Sequence, residues 1–429
     1  MTQTRATKTR ATQTRRTRAQ SGAKATTRSK RGVATRPPAN RAHATRTRSK
    51  PANRPRQAPR TKTSSKAAVS RSATPFLILT GLVISFSLLG LTMVLSASSV
   101  TSLTETGSPW GQFRSQAMWL GVGVVACVAG ALIDHRMLRR LTVPILVVSF
   151  ALLVMVLLPW FGVTVNGAQR WIRLGPVQFQ PSEIAKFALA LFAADNLGRS
   201  KKFDNTRSLK PILFVLSIFG ALILLQPNLG TTIVLFVIGI AALFASGVRS
   251  WVIAALGVCG ATAAGLLAYL TPFRRDRLFA FLDPWADPLG DGWQTIQSLV
   301  SVANGGVTGV GIGESRGKFG FLPEAHNDFV FAVTAEEFGL VGAATVVFGY
   351  VLFGLVALVV ARRADRFGAL LVVGIASWIV AQAFINIGSV LGVMPITGVP
   401  LPFMSAGGTS LVVTLGAVGV MLNVARSAR

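Results

Sequence analysis

TPFRRDRLFAFLDPWADPLGDGWQTIQSLVSVANGGVTGVGIGESRGKFGFLPEAHNDFVFAVTAEEFG, residues 271–339, interrupts a chain that after residue 75 is otherwise apolar runs joined by short polar links. Between residues 271 and 328 it holds Asp276, Asp283, Asp287, Asp291, Glu314, Glu324 and Asp328, seven of the fifteen acidic residues in the protein. Long polar connections in compact proteins are functional or disordered. The aromatic content of this one, Trp285, Trp293, Phe319 and Phe321, is unlike that of a disordered linker. The stretch therefore reads as a folded cap over a membrane domain and as the seat of any chemistry.

Composition sets that frame. Of 429 residues, 51% are hydrophobic and only 14% charged, and many apolar segments are long enough for a bilayer core of about 30 Å. The net charge of +29 is concentrated in residues 1–71, which carry 21 Lys/Arg, no acid and no Leu, Ile or Phe, leaving +8 for the rest. Such a segment cannot bury a core, so residues 1–74 are expected to form a disordered basic cytoplasmic tail. It lacks the apolar core of a signal peptide and the apolar face of a transit peptide. Its simpler role is a solvated topological anchor. Its functional role is attraction to anionic lipid, worth about 1 kcal/mol per basic side chain at the surface. Nucleic acid is ranked below lipid and is not expected as a partner. Cys127 and Cys259 lie in apolar runs and read as buried structural thiols.

Apolar runs predict spans near 76–98, 116–133, 141–161, 183–198, 211–226, 229–247, 251–270, 329–360, 367–391 and 407–425. The fold class is thus an all-α polytopic membrane protein of about ten transmembrane helices, with a large extracytoplasmic loop (271–328) between helices 7 and 8. The 329–360 span is too long to stand upright and must tilt or protrude. The 183–198 span carries Glu183, Lys186 and Asp195 and must pack inside the bundle. One side of the membrane collects the tail, Arg136/Arg139/Arg140, the 199–210 cluster, Arg249, Arg362/Arg363/Arg366 and Arg426/Arg429. By the positive-inside rule both termini are cytoplasmic and the large loop faces outward.

Four signals carry chemistry. In NGAQRWIRLGPVQFQPSEIAK (166–186), Pro181-Ser182-Glu183 starts a helix on which Glu183 and Lys186 share a face. The pair either braces the bundle or lines a polar substrate path, and both roles are compatible. In DPWADPLGDG (283–292), each Pro extends its predecessor and the turns present carboxylates rigidly, as suits a general base. Asx-turns are the simpler role for Asp283, Asp287 and Asp291, and spacing does not choose among them. In LPEAHNDF (322–329), His326 is the only histidine of the outer loops, with Asp328 near enough to orient it. Glu336 and Glu337 follow within a helix and call for Arg or Lys partners from another helix. Finally PITGVPLPFMSAGGTS (395–410) implies broken backbone lining a cavity, with Gly407-Gly408-Thr409-Ser410 opening a helix whose amides could face a pyrophosphate. Ser315-Arg-Gly-Lys318 lacks the companion motifs of a penicillin-binding site. The glycines at 305–313 match no Walker A loop, and no Cys/His cluster suggests zinc.

In this order, GAQRWIRLGPVQFQPSEIAK, QPNLGTT (226–232), DPWADPLGDGWQTIQS, LPEAHNDFVFAVTAEEFGLVG and GVPLPFMSAGGTS resemble the SEDS family (shape, elongation, division and sporulation) over roughly residues 75–425. LPEAHNDF resembles the division branch, whereas GVPLPF leans toward the elongation branch. Asn228 departs from the Asp that the family often has. The resemblance implies a 75–429 SEDS-type transmembrane domain that polymerises lipid II into peptidoglycan strands in the bacterial cell membrane, at the septum for a division member. It implies a class B penicillin-binding protein as partner, alongside other division-complex membrane proteins. It also selects Asp287, the second acid of the D/N-P-x-x-D-P-x-G pattern, as catalytic base. Arg170, Trp171, Glu183, Lys186, His326, Asp328, Ser405, Gly407 and Gly408 become candidates for substrate binding. The resemblance fixes no cofactor, and a divalent cation (Mg or Mn) is a candidate to help neutralise pyrophosphate. The rival readings are a lipid II flippase, an elongation polymerase and a non-catalytic scaffold.

Overall fold

The computed structural model describes residues 63–165, 167–175, 177–199 and 208–427; the tail expected at 1–74 lies almost wholly outside them. The helices are α1 (Thr63–Thr106), α2 (Gly111–Leu132), α3 (His135–Leu157), α4 (Pro181–Arg199), α5 (Lys210–Leu225), α6 (Leu229–Ala245), α7 (Ser250–Leu270), α8 (Pro272–Leu282), α9 (Trp293–Gly305), α10 (Val330–Arg363), α11 (Arg366–Val390) and α12 (Gly408–Ser427). Ten of them coincide with the ten apolar runs. Among the described residues seven helices are long and apolar enough to cross a membrane, while α5 and α6 are shorter apolar helices. The protein is a multi-pass, helical membrane protein.

Hydropathy did not reveal the small antiparallel sheet between α3 and α4: β1 (Gly162–Val165), β2 (Ala168–Leu174) and β3 (Val177–Phe179), in that order. Its strands are short and fall between spans, where the only visible cue is a set of turn glycines. Gly167 and Gly175 supply the positive φ of its two turns.

Helix α4 is the axis of the bundle. Nearly its whole circumference is buried, including Glu183, Lys186 and Asp195, as expected of charges that cannot face lipid. Its C-terminal end is held by Asp195, which accepts from Arg139 Nε at 2.7 Å and from Arg199 Nη2 at 2.7 Å. Helix α7 is the opposite case, with no buried residue at all.

The long span expected to tilt or protrude instead breaks. Gly339 takes φ 66° and ψ −164° inside α10, a conformation essentially confined to glycine. Freed by the break, the carbonyls of Glu336 and Glu337 accept from the Val310 and Gly311 amides at 3.0 and 3.1 Å. The amides of Leu340 and Val341 donate to Gly306 O and Val307 O at 2.9 and 3.2 Å. The glycine-rich loop thus stitches a broken helix, which explains the glycines that fitted no phosphate motif. A Cβ at Gly339 would lie 2.4 Å from Gly309 N and one at Gly309 2.1 Å from Glu337 O. Gly339→Ala should therefore lower thermal stability sharply, with backbone strain alone costing about 1–3 kcal/mol. Thermal unfolding of the purified protein measures it, and an unchanged midpoint would mean that the break is dispensable.

The two acids beside that break have partners other than the cations expected. Glu336 accepts from Ser315 Oγ at 2.6 Å and from the Arg316 and Gly317 amides at 3.1 and 3.4 Å, while Glu337 accepts from Ser96 of α1. Charge-assisted bonds from amides and hydroxyls satisfy a buried carboxylate without a guanidinium, so Glu336 pins the 315–317 turn to α10.

Candidate active site

At one end of the helical bundle lie two adjoining cavities, which share part of their lining. The inner one, about 140 Å³, is lined by Arg170 of β2, Arg274 and Arg277 of α8, and apolar side chains that include Leu229, Ile233, Leu278, Ile385 and Ile396. The outer one, about 350 Å³, is lined by Asp276, Arg277, Leu289, Gly290, Asp291, Trp293, Gln294, Thr295, Pro323 and Ile396. Arg277 and Ile396 belong to both linings and form the wall between them.

Local folding sets the arginines. Helix α8 opens with Pro272 and runs only eleven residues, so Arg274 and Arg277, three apart, lie on one face. Arg274 Nη2 donates to Leu224 O at 3.2 Å and Arg277 Nη1 to Ile396 O at 3.4 Å. Arg170 donates from Nε to Gln226 O at 3.1 Å and from Nη2 to Pro227 O. Hydropathy left RRDR (274–277) inside the 271–328 loop with no role of its own. The missed signal was its i, i+3 spacing directly after a helix-starting proline.

Beneath them lies Asp328, whose carboxyl is pushed up to about 6, first by loss of solvent and then by Glu324; Arg277 and Arg170 oppose the rise. Burial lowers Arg170 and Arg277 from the ordinary guanidinium value; Arg277 and Arg274 add to the fall at Arg170, while Asp328 opposes it at both and Asp291 at Arg277. The partnership expected between His326 and Asp328 is not what forms. The charges acting on His326 are Glu324 and Glu105, and burial lowers its imidazole; Asp328 faces the arginines instead. Two residues apart in a turn, the side chains diverge.

A polar face of α11 braces the broken 391–407 segment. Gln382 donates to Pro400 O at 2.9 Å, Asn386 to Asp328 O and Val399 O at 2.7 and 2.8 Å, and Ser389 to Pro395 O at 2.9 Å. These residues recur at helical spacing and could have been read as a polar stripe. Gln382 Oε1 also accepts from Lys186 Nζ at 2.7 Å and from Trp378 Nε1 at 2.8 Å. Lys186 Nζ lies 2.8 Å from Glu183 Oε1 and 4.7 Å from the centre of the Trp378 ring. The expected Glu183–Lys186 pair thus forms and ties α4 to α11. Glu183 Oε2 has no hydrogen-bond partner among the described residues.

The acidic turns are also specific. Asp283 accepts from the Trp285 amide at 3.2 Å, and Asp287 accepts from the Gly290 and Asp291 amides at 3.1 and 3.3 Å. Asp287 is exposed and lines neither cavity, but the turn that it caps supplies Gly290 and Asp291 to the outer one. Gly292 is required there, since a Cβ would fall 1.9 Å from Pro284 O.

Ser405, Gly407 and Gly408 line neither cavity. Ser405 Oγ accepts from Leu401 N at 2.7 Å, Gln116 of α2 bonds both Ser405 O and Gly407 N, and Trp119 lies against Gly408. The start of α12 is thereby packed against α2. Trp171 is half-buried on β2, paired in register with Val163. Asn228 caps α6 by accepting from the Thr231 amide at 3.1 Å, a task Asp performs as well, so the departure from the family pattern leaves this cap intact. Among the described residues no three His, Cys, Asp or Glu side chains converge on a metal site. A divalent cation would have to draw most of its ligands from substrate oxygens, as magnesium sites commonly do.

Comparison with known proteins matches residues 76–429 to a family model described as cell cycle protein, covering FtsW, RodA and SpoVE. A probable peptidoglycan glycosyltransferase FtsW of Nitrosococcus halophilus is 40% identical over 357 residues, 82% of this chain and 92% of that protein. Stage V sporulation protein E of Bacillus subtilis is 37% identical over 364 residues, 84% and 99% respectively. Among solved structures, a chain from work on structural coordination of polymerization and crosslinking by a peptidoglycan synthase complex superposes with TM-score 0.66 at 31% identity, covering 82% of this chain and 97% of that one. The rod shape determining protein RodA of Thermus thermophilus gives TM-score 0.62 at 28% identity, covering 82% and 96%.

Proposed function

The chain belongs to the family of FtsW, RodA and SpoVE cell cycle proteins, and from that premise we propose that it is a peptidoglycan glycosyltransferase that polymerises lipid II during cell division. The observation that carries this reading is the inner cavity, where three guanidiniums meet apolar walls at the outer end of the bundle. That combination suits a polyprenyl diphosphate, whose anionic head takes the arginines and whose chain runs along the apolar side. Asp287 takes the proton from the 4-hydroxyl of the acceptor sugar. The freed oxygen forms a bond to the anomeric carbon of the growing glycan, the bond from that carbon to the diphosphate breaks with inversion, and the arginines neutralise the departing anion.

The SEDS-type transmembrane domain spans 75–429 and the outer catalytic loop 271–328, with ten membrane crossings. Both termini lie in the cytoplasm, the basic tail meets anionic lipid, and the protein works at the septum with a class B penicillin-binding protein that crosslinks its product. The test is polymerisation of labelled lipid II by the purified chain with that partner. Glycan strands support the reading. No strands, under conditions where a control polymerase makes them, would favour lipid transport without chemistry.

The charge balance of the inner cavity carries a pH prediction. Asp328, with its carboxyl near 6, is neutral below that pH and anionic above it. Protonation removes the carboxylate facing Arg170 and Arg277, so undecaprenyl diphosphate should bind several-fold more tightly at pH 5 than at pH 7. Glu324 and His326 face the same region, and the diphosphate itself gains protons on acidification. Asp328→Asn isolates the effect by removing the increment that this residue supplies. An identical pH dependence in both proteins would sink the prediction.

A further inference from the structure

We infer that the outer cavity is a carbohydrate subsite that holds the N-acetylhexosamine ring presented to the Asp287 turn. This rests on the glycosyltransferase reading and assigns to a second cavity the part of the substrate that the arginines do not explain. The volume, about 350 Å³, lies within the roughly 300–1,000 Å³ of small-molecule sites. Its lining differs in kind from that of its neighbour. Three guanidiniums and no carboxylate line the inner cavity, with Asp328 behind the arginines; the outer is lined by Asp276 and Asp291 with only Arg277. A diphosphate is repelled from the second lining, whereas a neutral ring rich in hydroxyls, needing acceptors as much as donors, is matched by it.

The side chains present are those that recognise such a ring. Half-buried Trp293 opens α9 and offers an aromatic face to polarised sugar C–H groups. Beside it the Gln294 amide supplies two donors and an acceptor, and Asp291 supplies an acceptor. Among the described residues none hydrogen-bonds the side chains of Trp293, Gln294 or Asp291; Asp291 interacts with Arg277 through charge alone, so the hydrogen-bonding groups of all three can meet a ligand. Position completes the argument. Gly290 and Asp291 line the cavity, and their amides are the two that Asp287 accepts, so a ring seated there rests against the turn carrying the base. On its other side Arg277 borders the diphosphate cavity.

The test compares two probes on the full chain in detergent: lipid II, and undecaprenyl diphosphate with no sugar. Gln294→Leu and Trp293→Leu should each raise the Kd for lipid II about 10-fold, the scale of one or two lost contacts, while leaving the sugar-free diphosphate within twofold. The unchanged second probe reports that the variant is folded. Arg274→Ala should weaken both. Equal weakening of both probes, or no effect on either, in the Trp293 and Gln294 variants would overturn the subsite. Failure of wild-type protein to bind or polymerise lipid II would instead overturn the glycosyltransferase reading.

Discussion

Asp287→Asn should abolish glycan polymerisation while leaving the protein folded and able to bind lipid II. A positioned general base contributes 10²–10⁴-fold, and Asn cannot take a proton from the acceptor hydroxyl. The turn survives because the Asn side-chain oxygen still accepts from the Gly290 amide, and only the second bond, to Asp291, is lost. A companion substitution separates chemistry from position. A Cβ at Gly290 would sit 2.1 Å from Asp287 Oδ2, so Gly290→Ala displaces the carboxylate without removing any functional group, and polymerisation should fall strongly there too. Activity is read from strand formation on labelled lipid II with the class B partner present. Wild-type rates in Asp287→Asn would move the base elsewhere, with Asp283 the next group to test.

The second large effect concerns Lys186. Removing one member of a buried ion pair strands the other, at about 3–5 kcal/mol, whereas replacing both with similar volume is often neutral. Lys186→Ala leaves Glu183 charged or forced to protonate, and takes a donor from Gln382, which also anchors Pro400. We expect a large drop in thermal stability and in activity. The paired change Glu183→Gln with Lys186→Met should restore most of the stability. If polymerisation returns with stability, the pair is a brace between α4 and α11 and nothing more. If stability returns and polymerisation does not, the pair also serves the substrate path. Wild-type activity in Lys186→Ala would remove it from both roles.

Much of this architecture was legible in the chain, for identifiable reasons. A bilayer demands about twenty apolar residues per helix, so the apolar runs announced helices, of which seven among the described residues are long and apolar enough to cross a membrane. Glu183 and Lys186, three apart after a helix start, could only share a face. Pro-extended turns in DPWADPLGDG announced rigid carboxylates, and the structure places both Asp283 and Asp287 in Asx-turns. Other features left no periodic trace. The sheet at 162–179 is too short to alternate visibly. The break at Gly339 lies inside a single expected span whose two acids, Glu336 and Glu337, mark polarity but not a kink, and it exists because amides 310 and 311 reach the freed carbonyls from a loop remote in sequence. His326 and Asp328, two apart in sequence, share the influence of Glu324 but otherwise face different charges, Glu105 for one and the arginines for the other.

What the sequence by itself determined is the membrane-spanning helical class, the family and the position of the acidic turns, since these depend on composition and spacing along one dimension. Which charges share a cavity was decided only by tertiary structure. Arg170, Arg274 and Arg277 come from a strand and a short helix about a hundred residues apart, and Asp328 reaches them from a third segment. Their convergence, and the separation of a basic cavity from a mixed polar one by Arg277 and Ile396, follow from how α6, α8, α11 and the broken 391–407 segment pack. Burial and Coulomb interaction act through space rather than along the chain, so the electrostatic character of the site appears only when the helices are assembled.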